Sequence, residues 1–201
     1  TQQALPIGKR LGRQLLALKT KAQATRRFRK SGQLDRGRLI AGSKGSQRIY
    51  QRPGSSVGRS ISASIALDVS GSMDKQIWSG DLYRAALATA VALQDADIPF
   101  EMTRFDTTCA QIVSFDSPAR GRELSDRIDA GTYRPRNSTN TDEAMIAGAL
   151  SLLARDEEHK LQFVMTDGGP NSLNDTRAVG NEVRRRGVAT IGVVFADSRD
   201  V

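Results

Sequence analysis

Cysteine is nearly missing from this chain: Cys109 is the only one in 201 residues. A lone thiol excludes an intramolecular disulfide framework and a Cys-x-x-Cys zinc site. Without an activator in its neighbourhood, Cys109 reads as a small buried residue. It fits a reducing compartment, and a cytoplasmic location is expected. Histidine is as scarce. His159 stands alone among Asp156, Glu157, Glu158 and Lys160 at a helix-to-strand link, a place for a solvated imidazole more than for a catalytic base. Aromatic residues make up 5% and hydrophobic residues 38%, enough for one ordinary core and not for two. One domain is expected, since domains typically run about 100–200 residues. No apolar run approaches the ~20 residues of a membrane-spanning helix, so no membrane partner is expected. There is no internal repeat. The chain starts at Thr1 and reads as a fragment, so a missing signal peptide says little about the parent.

Acidic residues are missing from one region. Residues 1–60 hold 15 Lys/Arg and a single acid, Asp35, for a charge of +14. Residues 61–201 hold 15 Lys/Arg and 21 acids, for −6, and the whole chain carries +8. Such asymmetry marks two regions with different jobs: a basic, partly helical extension over 1–60 and a domain over 61–201.

In the extension, Leu11, Leu15, Leu18 and Ala22 recur at helical spacing, which predicts a helix over 5–30 with a cationic remaining surface. Ser31-Gly32 ends it, Leu34–Ile40 is a short second unit, and 41–46 reads as a linker. Residues 48–51 are expected as an edge strand. From residue 61 strands and helices alternate. Ser62–Leu67 is a short apolar run of the kind that becomes a buried parallel strand. A helix is expected over 78–96, strands over 100–105 and 111–115, a short polar helix near 121–130, and a helix over 141–154. Asn140 and Glu143 resemble a capping box for that last helix. A strand over 161–166, a helix over 174–186 and a strand over 188–195 finish the chain. The link between the second and third strands is too short for a parallel return, so that pair is antiparallel. The pattern predicts an α/β, doubly wound, mostly parallel sheet with one antiparallel edge strand and helices on both faces.

Three segments gather polar residues at strand ends or before a helix: Asp68-Val69-Ser70-Gly71-Ser72-Met73, Asn137–Asp142, and Thr166-Asp167-Gly168. Loops at the carboxyl ends of parallel strands form the binding crevice of such a sheet. Asp68 and Asp167 end strands expected to be neighbours. Oxygen-only ligands suit a hard dication, Mg²⁺ or Mn²⁺. Gly71 would let the chain turn so that Ser70 and Ser72 point back at the ion. Two carboxylates leave the site about neutral, and the ion could accept one more carboxylate from a partner.

These residues resemble the von Willebrand factor A domain and its metal-ion-dependent adhesion site. The resemblance assigns Asp68, Ser70 and Ser72 to the first loop, Asp167 to the third, and Thr139 to the second, with Thr141 as the other choice. Some aspartates of that family bind the ion through water. No catalytic residue is assigned. Gly71, Met73, Trp78, Thr141 and Gly168 are the residues expected to meet a partner, although Trp78 reads first as a core residue and only second as a rim contact.

A narrower resemblance covers nearly the whole chain. Gly12-Arg13-Gln14-Leu15-Leu16, Gly32–Leu39, Ala154–Lys160 and Met165-Thr166-Asp167-Gly168-Gly169-Pro170 are similar to the C-terminal region of CobT, the cobaltochelatase subunit, and to CobT-like proteins. The family has six strands, and five are expected in the domain over 61–201. The resemblance implies an adaptor that works beside an AAA+ ATPase of the MoxR or CobS kind, in a ring or homo-oligomeric assembly. In that family the assembly is an ATP-dependent cobaltochelatase acting in cobalamin biosynthesis, although CobT-like chains also occur apart from corrin synthesis.

Other readings stand beside this one. A phosphatase would use Asp68 as nucleophile, but such enzymes place a second Asp where Ser70 stands. Asp106 and Asp116 read as turn residues. The basic extension could lie on the acidic domain, dock on a partner ATPase, or bind nucleic-acid phosphates through Arg26-Arg27-Phe28-Arg29-Lys30.

Overall fold

The computed structural model describes residues 26–29, 33–34, 50–52, 60–132 and 138–195. The first three stretches are strands, described by their backbone: β1 (Arg26–Arg29), β2 (Gln33–Leu34) and β3 (Tyr50–Arg52). β3 lies between β1 and β2, antiparallel to both, with Arg29 opposite Tyr50 and Gln33 opposite Gln51. This corrects two expectations. Residues 26–29 are strand and not helix; the apolar stripe stops at Ala22, so only charge had carried the helix on to residue 30. The strand expected at an edge is central. The rest of the expected helix and the linker over 41–46 lie outside the described residues.

The main sheet has five strands in the order β6-β5-β4-β7-β8. They are β4 (Ile61–Asp68), β5 (Phe100–Phe105), β6 (Cys109–Val113), β7 (His159–Thr166) and β8 (Val188–Val194). Every pair is parallel except β5–β6. Only the three residues 106–108 separate those two strands, and no parallel return fits in that length.

All eight residues of β4 are buried, because helices cover both of its faces. Ile61, Ala63, Ile65 and Leu67 point one way, into a core with Leu82, Ala86, Ala90, Leu93, Leu124 and Ile128. These last come from α2 (Asp81–Asp95) and α3 (Gly121–Thr132). On the other face Ala66 and Val164 meet Ala144 and Met145 of α4 (Thr141–Leu153), and Leu152 meets Val183 of α5 (Leu173–Arg185). Alternation along a strand sends successive residues to opposite faces, so this one segment serves two cores.

Helix ends aim the strands. α2 stops with Asp97 in the left-handed region (φ 53). Ile98 N donates to Leu93 O and Asp97 N to Gln94 O, which satisfies orphan carbonyls and turns the chain into β5. Gly187 (φ 88) performs the same service between α5 and β8. Among the described residues no helix is long and apolar enough to cross a membrane.

Candidate metal centre

β4 and β7 run side by side with Leu67 opposite Met165. Asp68 closes β4, and Asp167 follows the last residue of β7. Both acids therefore emerge at the same end of the sheet, beside each other.

Asp68 is fully buried. Its Oδ1 accepts from Ser70 N at 2.9 Å and its Oδ2 from Thr166 Oγ1 at 2.6 Å. Each carboxylate oxygen keeps a lone pair beyond that bond. Burial raises the Asp68 pKa; hydrogen bonds from Thr166 and Ser70 oppose it, and the charge of Asp167 adds to the rise. Burial and the neighbouring Asp167 charge both disfavour the charged form of Asp68. Burying such a charge is costly unless a cation or a proton joins it.

The hydroxyls lie where the first loop brings them. The loop continues as a 3₁₀ turn, Gly71–Met73, followed by the short helix α1 (Asp74–Trp78). Ser70 Oγ and Ser72 Oγ are 3.1 Å apart. Gly71 has no positive φ, so the turn does not need glycine for its backbone angles, contrary to expectation. Gly168 does adopt φ 90, and a side chain there would be strained. Asp167 is half-buried, and its Oδ1 accepts from Gly169 N at 3.2 Å.

Thr139 is nearly buried and is tied to the Asp167 loop through Asn171. Asn171 Oδ1 accepts from Thr139 N at 3.2 Å, and Asn171 N donates to Thr139 O at 3.1 Å. Thr141, the other candidate from that loop, is also buried, and its Oγ1 has no hydrogen-bond partner. The buried Asp68 carboxylate, Asp167 and the hydroxyls of Ser70, Ser72 and Thr139 are all oxygen donors and fit a hard divalent cation, with the orphaned Thr141 hydroxyl as the other choice from the second loop. Among the described residues no three His, Cys, Asp or Glu side chains cluster for a metal, so the hydroxyls are essential to such a site.

Residues 64–201 match the family profile of the von Willebrand factor type A domain. The chain belongs to this family. Solved A-type and related folds agree. The manganese-loaded TRAP protein of Plasmodium vivax is similar with a TM-score of 0.51 at 18% identity, over 71% of this chain and 60% of that one. BatB of Bacteroides thetaiotaomicron, a conserved hypothetical protein, gives 0.52 at 16%, over 67% and 66%. Proximal thread matrix protein 1 of the mussel byssus gives 0.52 at 14%, over 66% and 34%. At these identities the likeness is one of fold. The chain spans between 34% and 66% of those structures' lengths. No curated protein matches it significantly.

Several expectations about the A domain's surface need correction. Met73, expected to meet a partner, is fully buried in the core, where the 3₁₀ turn drives it inward. Trp78, read first as core, is 69% exposed, since α1 is too short to fold its last residue back onto the sheet. Cys109 is exposed on β6 and not buried. Its thiol pKa is raised, by partial desolvation first and by the Glu143 and Asp106 carboxylates next, so it makes a poor nucleophile. His159 opens β7, at the opposite end of the strand from Asp167. The capping box does not form. Asn140 N donates to Asp106 O at 3.1 Å, and the Asn140 side chain bonds outward to Thr107 O and Glu143 Oε2.

Three residues of this end of the sheet carry weight that sequence reading missed: Thr166 as an anchor of Asp68, and Asn140 and Asn171 as ties between loops. Thr166 was visible as part of Thr-Asp-Gly, though only as punctuation. Nothing periodic marks Asn171.

Proposed function

We propose that this A domain is a metal-dependent protein-binding module, the adaptor part of a CobT-like subunit that works with an AAA+ ATPase. Asp68, Ser70, Ser72, Thr139 and Asp167 would hold Mg²⁺ or Mn²⁺. A dication there supplies an electrophilic position for one carboxylate of a partner. The observation that carries the reading is the fully buried Asp68, which ends its strand beside the turn of Asp167 and is followed by the Ser70 and Ser72 hydroxyls, 3.1 Å apart. The manganese-loaded TRAP protein, similar in fold, supports a divalent ion in such a crevice. In this assignment the chain's own residues bind and orient; none performs bond chemistry. ATP-driven movement of the partner would make or break the carboxylate contact. The corrin ring as substrate rests on the CobT resemblance alone.

Pull-down of a MoxR- or CobS-like ATPase by the full chain tests this. Capture lost with Asp68→Ala and with EDTA, and restored by Mg²⁺ in the unmodified chain, supports the bridge. Capture that survives both treatments sinks it. The basic segment, +14 over residues 1–60, favours a second reading as a nucleic-acid binder with a structural A domain. Steep salt dependence of DNA binding that vanishes on deletion of residues 1–60 and ignores EDTA would select that alternative.

A further inference from the structure

Asn171 grips the whole second loop. Its Nδ2 donates to Ser138 Oγ at 2.6 Å and to Asn140 Oδ1 at 2.7 Å. Its Oδ1 accepts from Thr139 N at 3.2 Å, and its own N donates to Thr139 O at 3.1 Å. One residue of the Asp167 loop thus takes hold of three consecutive residues that include Thr139. Asn140 extends the grip: its N donates to Asp106 O at 3.1 Å and its Nδ2 to Thr107 O at 3.4 Å, in the β5–β6 turn. That turn is closed in its own right, with Thr108 N donating to Asp106 Oδ1 at 2.8 Å. The first loop joins from the other side, through Thr166 Oγ1 on Asp68 and Val69 N on Phe105 O.

The side chain required at 171 is narrowly defined. It must offer two donors and one acceptor at a fixed short reach, which asparagine does. Aspartate lacks the donors, and glutamine is one methylene too long. Asn171 itself is exposed, so it fills no core space and its bonds are its contribution.

We propose that Asn171 is a positioning residue that sets the affinity and the size preference of the ion site, by fixing the Thr139 loop against the Asp167 loop. The proposal rests on the reading of Asp68, Ser70, Ser72, Thr139 and Asp167 as the cation site. Partners that orient metal ligands typically matter by about 10–100-fold in metal affinity when removed. The identity of the ion enters as well. Mg²⁺ demands near-ideal octahedral geometry at about 2.0–2.1 Å, whereas Ca²⁺ tolerates irregular and longer shells. A clasped loop favours the small ion. A released loop loses Mg²⁺ affinity more than Ca²⁺ affinity.

The test is titration of Mg²⁺, Mn²⁺ and Ca²⁺ into the full chain and its variants by calorimetry, with the ion-free melting temperature of each. Asn171→Ala removes the side-chain clasp. Ser138→Ala removes one arm of it from the opposite loop. Ser172→Ala is the control: it deletes the neighbouring cap of α5, where Ser172 Oγ accepts from Asp175 N, without touching the clasp. Asn171→Ala is expected to weaken Mg²⁺ and Mn²⁺ by about 10–100-fold and Ca²⁺ by less. Ser138→Ala moves in the same direction by a smaller factor, and Ser172→Ala leaves all three affinities unchanged. Unchanged Mg²⁺ affinity in both clasp variants overturns the proposal. So does an equal loss for all three ions that follows the ion-free melting temperature. Asp68→Ala separates the two levels: if it keeps full ion binding, the site reading falls and the clasp with it. If it abolishes binding while Asn171→Ala keeps the Mg²⁺ preference, the clasp alone falls.

Discussion

Thr166 Oγ1 donates to Asp68 Oδ2 at 2.6 Å across the two central strands, while Thr166 Oγ1 accepts from Gly168 N at 3.1 Å. One buried hydroxyl therefore joins the carboxylate at the end of β4 to the turn that carries Asp167. Thr166→Val keeps the shape and removes the hydroxyl. It is expected to cost about 1–3 kcal/mol in denaturant unfolding, because a buried carboxylate loses a donor. Thr166→Ser should recover most of that. Equal stability of Thr166→Val and the unmodified chain would contradict the role.

The pH dependence of stability should carry the mark of Glu101. It is buried on β5, and burial raises its pKa against the opposing hydrogen bond from Ser151. Ser151 Oγ donates to Oε2 at 2.7 Å, whereas Oε1 has no partner. Ser64, opposite Glu101 in register, and Gln162, opposite Ser64, also have orphaned oxygens. A protonated Glu101 supplies a donor to this row. Its folded pKa lies above the unfolded value, so its contribution is complete below the unfolded pKa. It is lost as pH rises through the folded pKa. Glu101→Gln should be more stable than the unmodified chain at neutral pH, with the advantage shrinking in acid. An advantage that stays constant with pH would refute this.

Close packing of α4 makes Gly148 a sensitive position. A Cβ there would stand 2.5 Å from Gln162 Nε2 and 2.7 Å from Ser64 Oγ. Gly148→Ala is expected to destabilise by about 1–3 kcal/mol through overpacking, despite alanine's better helix propensity. A gain in melting temperature would show that the polar row yields easily.

Trp78 separates folding from binding. At 69% exposure its replacement should leave stability within about 0.5 kcal/mol. If the partner seats beside the first loop, Trp78→Ala should weaken capture by about tenfold or more, as buried aromatic anchors do. Full capture by Trp78→Ala would move the interface elsewhere.

The fold was legible because its signals are periodic or local. The run before Asp68 is short and apolar, so it had to be a buried strand, and the brief 106–108 link left no room for a parallel return. The three polar segments could be placed at strand ends for the same reason. What escaped depends on which side chains meet across long separations. Asn171 reaches Thr139 over 32 residues, and no spacing rule encodes that bond. Met73 and Trp78 exchanged their expected environments because the 3₁₀ turn sends Met73 inward and the helix after it is too short to return Trp78 to the sheet. Arg26–Arg29 became a strand because its pairing partner, Tyr50–Arg52, lies beyond any local window.

On the proposed assignment, Asp68 and Asp167, with their neighbouring hydroxyls, hold one divalent ion. Titration of Mn²⁺ into the full chain, followed by the loss of its free-ion paramagnetic signal, measures this directly. The expected result is one saturable site from which Mg²⁺ displaces Mn²⁺ and which Asp68→Ala abolishes in a chain that keeps its fold. Absence of a saturable site, or the same site in Asp68→Ala, would contradict it.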